Sequence, residues 1–381
     1  MNRKKKVSII GAGNAGCITA MHYYLYAKDE IDTITIYHDP NTPIERTGQG
    51  TSTTVASLVN NFFHLDFLDH NIIKSTRKDG IMYENWGKKN EKIFHSFPQF
   101  LPAIHYVPNL FSQAVLNSGV FEVVEKNIEE PEKEIDSDFI FDCRGRNNRE
   151  KNLYDKLVNP LNSVILSRKE EVYPDLIYTR TVATPHGWTF VIPNVDSTSY
   201  GYLYNNQITT KEEATADFIK RFNVVPDGHL TFENYLAKSC FHGERTILNG
   251  NRLSFLEPLE ATSTGFYENV AITALGHIAR GVDKELCNNQ IRKEMLEIQN
   301  FVLWHYQFGS KFDTPFWEYA KSLPFDPGSQ FNKVIEYSMN NSYSDLIRER
   351  VRDRENFRDC GYYGHWSASA FKIWADGVGA L

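Results

Sequence analysis

The sequence predicts an α/β fold: a βαβ unit opens the chain, an antiparallel sheet is inserted behind it, and helices close it. Three observations carry that prediction. Val7–Ile10 is a short apolar run followed by Gly11-Ala12-Gly13-Asn14-Ala15-Gly16, and Cys17–Lys28 then continues at helical spacing. Residues 164–206 gather apolar and aromatic side chains in strand-length runs, among them Gly187–Pro193 and Tyr200–Asn206. From about His277 the pattern turns helical, and Asn288–Gln307 is its clearest stretch.

The remaining elements follow in order. Asp32–Pro40 reads as the second strand, stopped by its proline. Asn41–Leu58 is a loop rich in Gly, Thr and Ser that leads into a helix. Phe121–Asp138 is acidic and reads as an exposed meander or hairpin, and Asp138–Gly145 as a buried strand ending in a tight turn. A chain of 381 residues accommodates one large module with a smaller second region. We place the first at 1–275, with insertions at about 60–105 and 164–235 on the substrate side. Residues 276–381 form the helical region over that side.

Composition narrows the function classes. A net charge of -7 lacks the Lys/Arg surplus that binding to a polyanion needs, so nucleic acid is not expected. The five cysteines, Cys17, Cys143, Cys240, Cys287 and Cys360, form no CxxC and no His/Cys cluster. They read as reduced thiols, with no metal site. The basic start resembles a signal peptide, but glycines interrupt its apolar stretch and no cleavage site follows. No membrane association and a cytoplasmic location are expected; a homo-oligomer is left open.

Gly11, Gly13 and Gly16 form G-x-G-x-x-G between a strand and a helix. The first glycine permits the turn, the second admits a pyrophosphate, and the third lets helix pack on strand. The helix N-terminus then donates N–H groups to the phosphates. Asp39, 39 − 16 = 23 residues beyond Gly16, is either the acid that binds the ribose or a turn residue before Pro40. This pattern alone does not separate NAD from FAD.

Six stretches in order resemble one family. They are the GAGNAG loop, GQGTSTT (Gly48–Thr54), STRKDGIMYENWG (Ser75–Gly87), GWTFVIP (Gly187–Pro193), SFLEPLEATS (Ser254–Ser263) and FVLWHYQFGSKFDTPFW (Phe301–Trp317). Together they resemble the flavin-dependent halogenases, and the chain looks like a short, phage-type member. The glycine loop is common to many folds; the F-L-E-P-L-E-A-T-S run is far more specific. The resemblance implies an FAD-dependent monooxygenase-like fold with a GR2-type Rossmann unit. It also implies a reaction in which reduced FAD, dioxygen and a halide ion give hypohalous acid that halogenates an electron-rich aromatic or heteroaromatic small molecule. A separate flavin reductase is implied as partner, because no second nucleotide motif is visible for NADH.

The same resemblance distributes roles. Lys78 is the residue to which the hypohalous acid is guided, whether by hydrogen bonding it or by becoming a haloamine, and Glu260 is the acid that polarises it and takes the ring proton. Thr262 and Ser263 are implied as halide contacts, although capping the following helix is the ordinary use of such residues. The FAD contacts fall on Gly11, Gly13, Asn14, Ala15, Gly16, His38, Asp39, Gly48, Gln49, Gly50, Thr51, Asp142 and Gly145. Trp188, Phe190, Ile192 and Pro193 form a wall between flavin and substrate, and His95 and Phe97 flank the substrate ring. Glu257 is expected to fix its loop or face solvent, and His305 and Tyr306 to pack in the core. Thr51 and His38 stand where the family often has acids, and the short chain leaves little room for a large helical cap, which puts tryptophan itself in doubt as substrate. An aromatic hydroxylase on the same fold and a non-catalytic flavin-binding protein are the rivals.

Overall fold

A computed structural model describes residues 3–44, 47–64, 72–97, 102–146, 150–352 and 360–379. The expected insertion at about 60–105 is therefore described only in part, with 65–71 and 98–101 outside. The opening βαβ unit consists of β1 (Lys5–Ile10), α1 (Asn14–Tyr26) and β2 (Ile31–His38). β1 pairs in parallel with β2 on one side and with strand Phe139–Asp142 on the other. A parallel sheet buried on both faces needs continuous apolar strands, and Val7, Ile9, Ile10, Ile36, Ile140 and Phe141 supply them.

One expectation is corrected here. The acidic segment is neither meander nor hairpin: Glu122–Glu125 is a parallel strand on β2, followed by the short helix Pro131–Glu134. Its side chains look polar because the strand is an exposed sheet edge. Glu132 is also not idle, since its carboxylate accepts from the Arg245 and Thr246 backbone N–H groups and the Thr246 hydroxyl.

The inserted sheet holds strands Gly228–Thr231, Ser163–Lys169, Thr198–Tyr204, Gly187–Pro193, Thr179–Thr184, Gly80–Glu84 and Lys92–Ser96, in that spatial order. Neighbours are antiparallel except Thr179–Thr184 with Gly80–Glu84. Side chains alternate across the central strand. Val191 packs with Tyr200, Tyr202 and Phe218 beneath helix Lys211–Phe222, whereas Trp188, Phe190 and Ile192 face the main core. Gly201 makes room for the Phe190 ring, which a Cβ there would meet at 2.1 Å.

A small sheet sets the position of the candidate site. Strand Ala103–Tyr106 pairs with Gln49–Gly50 on one side and Thr76–Lys78 on the other. Segments far apart in sequence are thereby brought within side-chain reach. Helix Ser263–Arg280 runs through residues 275 and 276, and Tyr23 of α1 donates its hydroxyl to the Ala271 carbonyl at 3.0 Å. Helix Lys284–Gln307 begins at Asp283, whose carboxylate accepts from the Glu285 and Leu286 N–H groups. Among the described residues no helix is long and apolar enough to cross a membrane.

Candidate active site

The glycine loop has the geometry that its three glycines foreshadow. Gly11 has φ +100°, and a Cβ on Gly16 would lie 1.9 Å from the Gly11 carbonyl oxygen. Over Gly13, by contrast, nothing lies within 4 Å of a Cβ. Gly13 caps α1 without a side chain, so no side-chain oxygen takes up the first N–H groups of that helix. Asn14 donates its amide to Gln49 at 2.7 Å and thus joins this loop to Gly48–Thr51, while its own buried Oδ1 has no partner. An uncapped helix start, an open glycine and an unbonded amide oxygen fit a bound dinucleotide.

The other expected cofactor residues are arranged around it. The Asp39 carboxylate is taken up by its own turn, accepting from Asn41 N, Asn41 Nδ2 and Thr42 Oγ1 at 2.9, 3.1 and 3.2 Å. The bond from the Asn41 backbone, with those side chains, holds its carboxyl below the ordinary range. Asp142, at the end of its strand, is bracketed by Arg144 and Arg252, and Gly145 follows with open space. Gly48 donates its N–H to Ser199 Oγ, and a Cβ there would strike Asn194. Thr51 turns its hydroxyl to the Ile104 backbone and away from solvent.

Lys78 is 0% exposed, although a lysine in a basic stretch ordinarily reaches water. Its Nζ donates to the Thr51 carbonyl at 3.4 Å and lies 5.2 Å from the centre of the Phe97 ring. Burial pushes the amine down to about 8, with the nearby Glu260 charge acting in the opposite direction. His95, on strand Lys92–Ser96, stands edge-on to Phe97 at 5.9 Å. Burial first, then the charges of His305 and Lys78, push His95 down to about 3, so its ring is neutral.

Glu260 sits in strained backbone. It has φ 72° and Ala261 has φ 53°, two successive non-glycine residues in the left-handed region. The strain aims the carboxylate inward. Oε2 accepts from Trp366 Nε1 at 2.9 Å, and Oε1 lies 3.2 Å from His305 Nε2 and 3.6 Å from His95 Nδ1. Thr262 and Ser263 open helix Ser263–Arg280, and Thr262 occupies the cap position without a side-chain capping bond. Glu257 is also fully buried; its loop-fixing role is present, its exposure to solvent is not. It accepts from Tyr306 Oη at 2.8 Å and from the Leu259 N–H at 3.1 Å, while Trp188 Nε1 donates to Tyr306 Oη at 3.0 Å. Burial raises the Glu257 carboxyl to about 7.

His305 and Tyr306 are thus more than packing residues: His305 lies against Glu260 and Tyr306 donates to Glu257, the two acids of the E-P-L-E-A run. Two polar side chains inside an otherwise apolar helix run were the only signal of this. Trp366, close to the C-terminus, gave none.

These features define a class: a nucleotide-binding α/β fold with a buried lysine and acid beyond the nucleotide loop. The chain belongs to the tryptophan halogenase family, whose family model matches residues 6–118 and 112–355. It is 27% identical over 209 residues to the tryptophan 6-halogenase ThaL of Streptomyces albogriseolus, covering 52% of this chain and 37% of that one. It is 26% identical over 164 residues to the tryptophan 7-halogenase RebH of Lentzea aerocolonigenes, covering 40% and 30%. The matched stretch therefore spans about a third of those relatives' length. In fold, the chain is similar to the tryptophan 6-halogenase SttH of Streptomyces toxytricini, with a TM-score of 0.77 over 99% of this chain and 91% of that one at 18% identity.

Proposed function

We propose that the chain is a flavin-dependent halogenase that acts on an electron-rich aromatic or heteroaromatic small molecule. The observation that carries this is the buried Lys78 amine, held between the Gly50–Thr51 backbone and the Phe97 ring and in electrostatic reach of Glu260. Structural lysines seldom occupy such sites, because an unpaired buried ammonium is costly. Membership of the tryptophan halogenase family supports the same reading.

In this proposal Gly11–Gly16 and Gly48–Thr51 hold FAD, with His38, Asp39, Asp142 and Gly145 around it. Reduced by a separate flavin reductase, the bound flavin supplies with dioxygen and halide the hypohalous acid. Thr262 and Ser263 hold the halide. Trp188, Phe190, Ile192 and Pro193 wall the route and exclude water. Lys78 receives the hypohalous acid, and His95 and Phe97 flank the substrate ring. The ring carbon takes the halogen, the ring proton passes to Glu260, and hydroxide leaves as water with a proton from Lys78. Residues 276–381 cover the substrate side. Tryptophan is one candidate substrate, since the named relatives act on it.

The test is a coupled assay with flavin reductase, NADH, FAD and air, run separately with chloride, bromide and iodide against tryptophan, indoles and phenols. Mass spectrometry should show a halide-dependent product. A hydroxylated product indifferent to halide would assign the chain to the aromatic hydroxylases, and flavin binding without any product would leave only a binding role.

A further inference from the structure

Two buried tryptophans direct their N–H groups to the backbone of strand Thr179–Thr184. Trp86 Nε1 donates to the Thr181 carbonyl at 3.0 Å, and Trp317 Nε1 to the Thr184 carbonyl at 2.8 Å. Trp188 differs from both. It stands on the central strand Gly187–Pro193, yet its Nε1 reaches out of the sheet and donates to Tyr306 Oη, on helix Lys284–Gln307, at 3.0 Å. The orientation of this indole therefore depends on a helix and not on its own sheet.

The direction of the contact follows from the groups involved. An indole nitrogen only donates, so the Tyr306 oxygen accepts, and its single hydrogen goes to Glu257 Oε1 at 2.8 Å. All three side chains are buried, and both bonds have ordinary hydrogen-bond lengths. The far end of this chain is itself fixed. Glu257 Oε2 accepts from the Leu259 N–H at 3.1 Å, Oε1 also accepts from Asn159 Nδ2 at 3.4 Å, and the Glu257 N–H donates to Asn234 Oδ1 at 2.9 Å.

We propose that Tyr306 and Glu257 are positioning residues that together set the rotamer of Trp188 and tie it to the turn presenting Glu260. The Glu257 carboxyl holds the start of that turn through Leu259, and the left-handed residues Glu260 and Ala261 follow directly. One hydroxyl thus links the wall strand, the long helix and the turn. A functional consequence rests on the halogenase reading: the wall of the route and the acid at its end are kept in register. Tyr306→Phe keeps a ring against Trp86 and Trp317, whose ring centres lie at 5.6 and 5.9 Å, and removes only the link. It should lower halogenated product per flavin oxidised while flavin reoxidation continues.

The experiment is ¹H–¹⁵N NMR of the full chain labelled at its six tryptophan indoles, without cofactor. It is run at pH ~8, above the Glu257 value of about 7, so that the carboxylate is charged. Trp188→Phe assigns the Trp188 N–H signal by its loss. In Tyr306→Phe that proton signal should move upfield as its hydrogen bond is lost. In Glu257→Gln, which changes a residue one hydroxyl removed from the indole, the signal should also move upfield, by less, because a neutral amide polarises the hydroxyl less than a carboxylate does. In the Tyr306→Phe background, Glu257→Gln should leave it unmoved. An unmoved signal in Tyr306→Phe, or the same shift from Glu257→Gln in both backgrounds, would overturn the proposal. If Tyr306→Phe fails to fold, Glu257→Gln alone decides, and an unmoved Trp188 signal there overturns it. The NMR readout involves no halogenation, so this claim and the halogenase reading fail separately.

Discussion

Gly50 and Lys78 face one another so closely that a methyl group on Gly50 would lie 2.9 Å from the lysine Nζ. The absent side chain is what lets the amine occupy its place beside the loop that precedes helix Thr53–Phe63. Gly50 does not have positive φ, so alanine meets no backbone strain, and the atom it strikes is the mobile end of a side chain. Gly50→Ala should therefore fold with an unchanged or slightly raised melting temperature while displacing the amine. Misplacing a reacting group by about 1 Å costs on the order of a hundredfold in rate. Product formation per flavin oxidised measures it, and unchanged product yield would show that the position of the amine is immaterial.

Burying the Lys78 amine carries a stability cost with a defined sign. Its value of about 8 in the fold lies below the ordinary 10.5, so the charged form is disfavoured by folding. Below about pH 8 the ammonium is charged in both states and the full cost is present; it fades as pH rises towards the unfolded value. Lys78→Met should be more stable near pH 7 by up to about 3 kcal/mol, a gain that shrinks by pH ~10. Urea unfolding of both proteins at the two pH values tests this.

Open space over Gly13 gives a selective way to test the proposed cofactor site. A valine there meets no protein atom at its Cβ, so Gly13→Val should keep the fold. It would occupy the approach to the N–H groups of α1, and FAD affinity should fall at least about a hundredfold, several kcal/mol being lost with the phosphate contacts. Flavin fluorescence titration alongside circular dichroism separates loss of binding from loss of fold.

Glu257 should make stability depend on pH in the opposite direction to an ordinary carboxylate. Its fold value of about 7 exceeds the ordinary 4.5, so its contribution is complete below about pH 4.5 and is lost as pH rises through 7. Glu257→Gln does not titrate. The stability of the wild type relative to that variant should fall by up to about 3 kcal/mol between pH ~4.5 and pH ~8. A constant difference across that range would mean that the carboxyl is not held protonated by its burial.

The parts of this molecule that local chemistry dictates were legible in its sequence. Gly11 and Gly16 announce a turn and a close packing that only glycine permits, and both appear in the fold, while over Gly13 the space is open. The alternation of Trp188, Phe190 and Ile192 placed them on one face of a strand, and helix Lys284–Gln307 follows from its periodicity. What failed were contacts between distant segments. The partners of Glu260 come from residues 305 and 366, and no spacing rule links a turn to a helix and a hairpin so far apart. Glu122–Glu125 was missed because an edge strand with exposed acids resembles a loop.

The most direct measurement is product analysis of Lys78→Ala beside the wild type, with reductase, NADH, FAD, air and bromide or chloride. The account expects halogenated product to disappear while NADH consumption and flavin reoxidation continue at the wild-type rate. Halogenated product in undiminished yield from the variant would contradict it.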